Sequence, residues 1–165
     1  MKKIRILTLI SVVFFSYALT TDRHSANINT NDDPYALLDE LWQHVYNPGR
    51  LVVNKREDMV SGVVYNVPKK EQDGDYHIQI KLDAPYTNHL NSYNNDGQDG
   101  CLVIEIICYN SVKQKDAIQP CKSCPKSIIV PKKGDHIKVY GSYITDTEVD
   151  HGWNEIHPVS YIEKN

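Results

Sequence analysis

The chain has 165 residues, and its 21 acidic residues outnumber its 18 basic residues, giving a net charge of −3. Beyond residue 18, basic residues are adjacent only at 55–56, 69–70 and 132–133. Proteins that bind nucleic acid normally present clustered Lys and Arg to the phosphates. This composition therefore excludes a strongly basic binding surface, and nucleic acid is not an expected partner.

The N-terminus has the pattern of a secretory signal peptide. A basic start, with Lys2, Lys3 and Arg5, precedes a mostly apolar run over 6–15 and a small-residue cleavage pattern that ends at Ala18. The run is shorter than the roughly 20 residues that span a bilayer. We expect residues 1–18 to be removed and the mature protein to be secreted or periplasmic, without membrane insertion; a retained N-terminal anchor is the alternative.

Removal of residues 1–18 takes away three basic residues and no acidic residue, so the net charge becomes −6. Residues 19–31 are polar and lack hydrophobic periodicity, which is typical of a flexible tether. The remaining segment, 32–165, has the size of a single domain with one core.

The domain is predicted to begin with one amphipathic helix. Asp33-Pro34 is a helix start signal, apolar residues then recur at helical spacing from Leu37 to Val45, and Asn47-Pro48-Gly49 ends the pattern. We predict a helix over 34–46.

After this helix the hydrophobic period changes from 3.6 to 2, which predicts strands. Asp73-Gly74 is typical of a hairpin turn, and Pro158 favours an edge or a bulge. Residues 83–100 are predicted to form a loop that includes a solvated turn over 94–100, and 109–127 a long connection with a short helix over 112–118. The five predicted strands cover 59–67, 76–82, 102–108, 134–143 and 153–162.

Five strands, with an excursion between the third and the fourth, fit an all-β domain of the OB type with one N-terminal helix. An OB-like Greek-key barrel arranges its strands in the order 1-2-3-5-4. Its ligands usually lie on the face of strands 2 and 3, between the 1-2 and 4-5 loops.

Strict alternation predicts a polar patch on three neighbouring strands. If Ile78, Ile80, Leu82, Leu102, Ile104, Ile106 and Ile156 face the core, the polar residues between them face outward. The predicted patch contains His77, Glu105, Glu155 and His157, with His151 and Trp153 arriving from the 4-5 loop.

Three interpretations of this patch remain open. Outward positions on a barrel are polar by default, so the patch fits a solvated or internally hydrogen-bonded surface. His151, Glu155 and His157 carry ordinary zinc ligands, although side chains on one flat strand diverge and a further ligand, His77 or Glu105, would be required. Trp153 fits a stacking platform for a sugar or a base, or a plug that closes the barrel.

Four segments resemble an uncharacterised family of small exported microbial proteins with an HGWxEIHP signature. They are LWQHVYNP at 41–48, DGDYH at 73–77, LVIEIIC at 102–108 and HGWNEIHP at 151–158. The resemblance covers nearly the whole mature chain and implies one compact exported OB-like domain, but it implies no activity. Cys101 and Cys124 depart from the pattern of this family.

Four cysteines in an exported chain indicate disulfides. The resemblance implies the pair Cys108 and Cys121, which also returns the long connection to the end of the third strand. A second bridge, between Cys101 and Cys124, fits only if the strand starts after Cys101 or bends, because an unbroken strand separates Cys101 from Cys108 by about 23 Å.

We expect the protein to act as a binding module for a small molecule, a saccharide or a protein, rather than as an enzyme, and without a cofactor. A metal-dependent hydrolase, with a divalent metal such as zinc in the His and Glu patch, is the first alternative. A purely structural envelope domain is the second.

Overall fold

A computed structural model describes residues 33–67, 71–126 and 128–165. The predicted signal peptide and tether lie outside these residues. The described chain is mostly β, with one five-stranded sheet and a few short helices. The strands are β1 (Leu51–Asn66), β2 (Tyr76–Leu82), β3 (Leu102–Ile106), β4 (His136–Asp146) and β5 (Asn154–Lys164), and the α-helices are α1 (Leu38–Trp42) and α2 (Ser92–Gly97).

The strands pair in the order β1-β2-β3-β5-β4, as the sequence predicted, and β1 also pairs with β4, so the sheet closes on itself. β3 and β5 are parallel, whereas the other pairs are antiparallel. β1 begins eight residues before the predicted strand. Its pairing with β4 shifts register twice between Val53 and Asp58, and such irregularities bend a strand enough to meet neighbours on both sides.

Two glycines allow the closest strand approaches. A Cβ at Gly62 would overlap the carbonyl of Lys81, and a Cβ at Gly141 would overlap the carbonyl of Pro158. β5 pairs with β3 only as far as Ile156, and its register with β4 shifts around Gly141. Pro158 therefore lies at an irregular part of the sheet, as predicted.

The inward faces of all five strands form the main hydrophobic core. The residues predicted to face inward do so, except that Leu82 is only partly buried. The core contains Val60, Val64, Ile78, Ile80, Leu102, Ile104, Ile106, Ile137, Val139, Ile156, Val159 and Ile162.

The N-terminal helix is shorter than the predicted 34–46. The amide of Leu38 donates to the carbonyl of Tyr35, and the amide of His44 donates to the carbonyl of Leu41, so turns of the i to i−3 type replace the helix at both ends. Within the described chain no helix reaches the length and apolar character needed to cross a membrane.

The solvated turn predicted over 94–100 is wrong. Asn91 and Asn94 cap α2 reciprocally, and the Asn94 side chain is fully buried. Its amide nitrogen donates to the carbonyls of Cys101 (3.0 Å) and Asn154 (2.9 Å), and its oxygen accepts from the amide of Asn154 (2.9 Å). α2 therefore joins the start of β3 to the start of β5.

One of the two predicted disulfides is present. Cys108 is bonded to Cys121, with 5.2 Å between their Cα atoms, whereas Cys101 and Cys124 are free and buried. The second predicted bridge is wrong because Cys101 precedes β3, while Cys124 packs beside Cys108, beyond the other end of that strand. The observed bridge is compatible with an extracytoplasmic location.

Mass spectrometry of the unreduced, digested protein is expected to show Cys108 linked to Cys121, with Cys101 and Cys124 alkylated only after denaturation because both are buried. Reduction of the bridge, whose cysteines are 13 residues apart, is expected to lower the free energy of unfolding by about 3 kcal/mol. A peptide linking Cys101 to Cys124 would contradict this assignment.

Candidate functional site

The face of the sheet opposite the core brings together four of the six predicted site residues. His77 on β2 pairs directly with Glu105 on β3. The parallel pairing of Val103 with Glu155 then sets Glu155 and His157 of β5 beside Glu105. His77, Glu105, Glu155 and His157 form what we call the charged cluster.

Glu105 is the centre of the charged cluster. Its Oε1 lies 2.6 Å from Nε2 of His77, and its Oε2 lies 2.7 Å from Nδ1 of His157. The same Nδ1 lies 3.3 Å from Oε1 of Glu155, and Trp153 donates its indole N–H to Oε2 of Glu155 at 3.4 Å. A continuous series of polar contacts therefore runs from His77 to Trp153.

The patch is not solvated, so that half of the first interpretation is wrong, whereas an internally hydrogen-bonded patch on the predicted face agrees with the structure. Glu105, Glu155 and His157 are at most 1% exposed, and the His77 side chain is 22% exposed. Asp75, immediately before β2, adds another buried carboxylate. It accepts a hydrogen bond from the amide of Cys108 at 2.7 Å, which ties it to the disulfide segment.

Two buried polar atoms of the charged cluster have no hydrogen-bond partner: Glu105 Oε2 and His157 Nε2. The short contact between Glu105 Oε2 and His157 Nδ1 is an ion-pair contact, because the aligned hydrogen bond from Nδ1 points to Glu155 instead. Buried polar atoms are paired in most native proteins, so His157 Nε2, which has neither a hydrogen bond nor an ion pair, stands out.

The charges of the two histidines follow from their shared carboxylate. Burial alone would lower the pKa of His77, but the adjacent Glu105 raises that pKa to about 9. Burial opposes charge on His157 too, yet Glu105 and Glu155 hold its pKa well above 6.5. Burial would raise the pKa of Glu105, and the two imidazoles instead hold it well below 4.5. Glu105 is therefore a carboxylate between two imidazolium ions at neutral pH.

Two further buried carboxyl groups, those of Asp75 and Glu155, have raised pKa values, because both imidazolium ions lie closest to Glu105. Burial, reinforced by the negative charge of Glu105, raises the pKa of Asp75 to about 7 and that of Glu155 to about 7. Each group therefore titrates near neutral pH.

A cleft of about 590 Å³ lies beside the charged cluster, between the β1–β2 and β4–β5 connections. His77 belongs to both the cleft and the cluster, and the rest of the lining is mostly polar. The lining residues are Arg50, Glu71, Gln72, Asp73, His77, Gln79, Gln98, Val103, Gln114, His151 and Trp153.

His151 and Trp153 form an aromatic wall of this cleft. Their rings stack with centroids 4.0 Å apart and planes 27° apart. His151 Nδ1 lies 2.6 Å from Oδ2 of Asp146, an oxygen that also lies 3.5 Å from Arg50 Nη1. Trp153 lies outside the hydrophobic core, so its interpretation as a barrel plug is wrong.

The predicted metal set of His151, Glu155 and His157 is not assembled, because His151 is held by Asp146 at the aromatic wall. Among the described residues, donor atoms converge in two groups: Asp75 with Glu105 and His157, and Asp75 with the disulfide-bonded Cys108 and Cys121. The sequence could have revealed Asp75 as a site residue, because it lies two positions before His77 and such spacing sets both side chains on one side of an extended segment. Arg50 carried no such signal.

The chain matches no protein-family model and no curated protein. The family resemblance of the sequence therefore stays a prediction.

Replacing Glu105 with Gln is expected to lower the free energy of unfolding by about 3 to 5 kcal/mol at neutral pH, because the buried imidazolium ions of His77 and His157 lose their shared counter-charge. The midpoint of urea denaturation measures this loss. Glu163→Gln is the matched control, since Glu163 pairs with Lys138 on an exposed part of the sheet and its replacement should change the midpoint little. Equal midpoints for wild type and Glu105→Gln would contradict an ionised cluster.

Proposed function

We propose that the protein is an exported ligand-binding module of the OB type, and that its ligand occupies the cleft beside His77. The position of the cleft carries this proposal. It lies on the outer face of β2 and β3, between the 1-2 and 4-5 connections, where OB domains usually bind their ligands. The strand order and the closure of the sheet also support the OB assignment.

The lining of the cleft favours a saccharide. Its volume of about 590 Å³ is typical of small-molecule sites, but such sites are mostly apolar and this one is not. Amides of Gln79 and Gln98 meet at 2.8 Å within the lining, and further amides come from Gln72 and Gln114. A flat aromatic wall opposite many amides suits a ligand with one apolar face and several hydroxyl groups.

The electrostatics of the cleft favour an uncharged ligand. The positive groups, Arg50 and His77, already face Asp146 and Glu105. Glu71 and Asp73 add negative charge to the same lining. A polyphosphate would meet acids without free basic partners, so a neutral sugar fits better than a nucleotide.

Binding, rather than catalysis, is the inferred role because three of the four side chains of the charged cluster do not reach the cleft, and His77, the fourth, is held in an ion pair with Glu105. Glu105, Glu155 and His157 are at most 1% exposed, whereas a general acid or base must come within hydrogen-bond distance of its substrate. The charged cluster instead holds His77 and Trp153 in place, which reduces the ordering cost of binding.

Export is proposed from the signal-peptide pattern of residues 1–18, and the Cys108–Cys121 bond supports it. Membership of the exported family with the HGWxEIHP signature is proposed from the four matching segments alone.

Trp153→Ala is expected to weaken saccharide binding at least about tenfold, equivalent to roughly 1.4 kcal/mol, while the fold is kept because Trp153 lies outside the core. A panel of neutral mono- and disaccharides is screened by tryptophan fluorescence. The background is Trp42→Phe, in which Trp153 is the remaining tryptophan, and calorimetry then measures Kd for each hit.

Tyr65→Ala is the matched control, because Tyr65 is an exposed aromatic residue outside the cleft lining. Equal loss of binding in the two alanine variants would indicate non-specific contact. A folded protein that binds no saccharide in the panel would contradict the assigned ligand class and favour a structural role.

A further inference from the structure

We propose that Asp75, Glu105 and His157 bind one divalent cation of the zinc type, beside the cleft. This site is separate from the ligand cleft, and its existence does not depend on what the cleft binds. The three residues come from the segment before β2, from β3 and from β5, so the cation would join three parts of the fold.

The geometry of the donors supports the site. One donor atom from each of the three side chains lies within 4.8 Å of the other two, and all three residues are at most 3% exposed. Ligand atoms around a tetrahedral zinc ion are roughly 3.5 Å apart. The donors would therefore have to move closer together to hold one ion, and a fourth position would be left for water.

A buried ring nitrogen without a partner is the second, independent observation. His157 Nε2 is buried without a hydrogen-bond partner, whereas Glu105 Oε2 already lies 2.7 Å from His157 Nδ1. His157 directs Nδ1 to Glu155 at 3.3 Å and leaves Nε2 free. Metal-binding histidines use their two nitrogens in this way, with one on a carboxylate and the other on the metal.

The charge of the region also fits a dication. Zinc would replace the proton of His157, and that proton would pass to solvent. The three negative charges of ionised Asp75, Glu105 and Glu155 would then equal the three positive charges of the His77 imidazolium and the dication.

The donor types favour zinc over magnesium and calcium. Imidazole with carboxylates suits zinc and similar first-row ions, whereas magnesium and calcium take oxygen ligands. His77, at 2.6 Å from Oε1 of Glu105, would orient that ligand from outside the coordination shell.

The test uses the full chain, produced without a histidine tag and stripped of metal with a chelator. Calorimetric titration with Zn²⁺ is expected to show one ion per chain, and titration with Mg²⁺ no binding. Asp75→Asn is expected to weaken zinc binding roughly 100-fold or more, because even outer-shell changes cost about 10–100-fold.

Two variants serve as matched controls. Asp73→Asn changes a neighbouring acid that lines the cleft, and His151→Ala removes a histidine held by Asp146 at the aromatic wall. Both are expected to keep the wild-type affinity for zinc. If either loses zinc binding as completely as Asp75→Asn, the ion lies in the cleft and the proposal is wrong.

A second measurement covers the case in which Asp75→Asn does not fold. Co²⁺ bound to the wild-type chain is expected to give the intense visible absorption of a four-coordinate site, and zinc should displace it. Zinc should also raise the thermal midpoint of the wild type, because a ligand that binds the folded state stabilises it. A folded, metal-free wild type that binds neither Zn²⁺ nor Co²⁺ at millimolar concentration would overturn the proposal.

Discussion

The ion pairs of Glu105 with His77 and His157 fix how three strands of this protein fit together. They cross β2, β3 and β5 on the face opposite the hydrophobic core. Breaking a buried ion pair is costly because it leaves an uncompensated charge. A slip of one residue in β3 would bring Ile104 or Ile106 to this position and turn Glu105 into the core. The ion pairs therefore specify the strand register that the hydrophobic core alone would specify only in part.

Glu105 also connects the buried charged cluster to the surface of the cleft. His77 contacts Glu105 on one side and lines the cleft on the other, and the Glu155 side chain contacts both His157 and Trp153. Both ends of this series of contacts are cleft residues, and its middle is sealed from solvent. The buried part of the cluster is thus connected by direct contacts to two residues of the cleft lining, His77 and Trp153.

The OB pattern of five strands with an excursion between the third and the fourth predicted the strand order, and alternation along the strands predicted the faces of His77, Glu105, Glu155 and His157. It could not predict their burial, because the period of a strand specifies a side and not what covers it. The cover comes from contacts distant in sequence, such as that between Asp75 and the amide of Cys108. The prediction of the second disulfide was wrong for a related reason. Cys124 packs near the end of β3 that is distant from Cys101.

The buried amide of Asn94 has a consequence for local unfolding. It contacts the carbonyl of Cys101 and both backbone groups of Asn154, so α2 cannot open without releasing the first residues of β3 and β5. Loops usually open at a far lower free energy than the sheet that carries them. Here α2 is held to the residues at which β3 and β5 begin, and its amides should exchange with solvent more slowly than those of an ordinary loop.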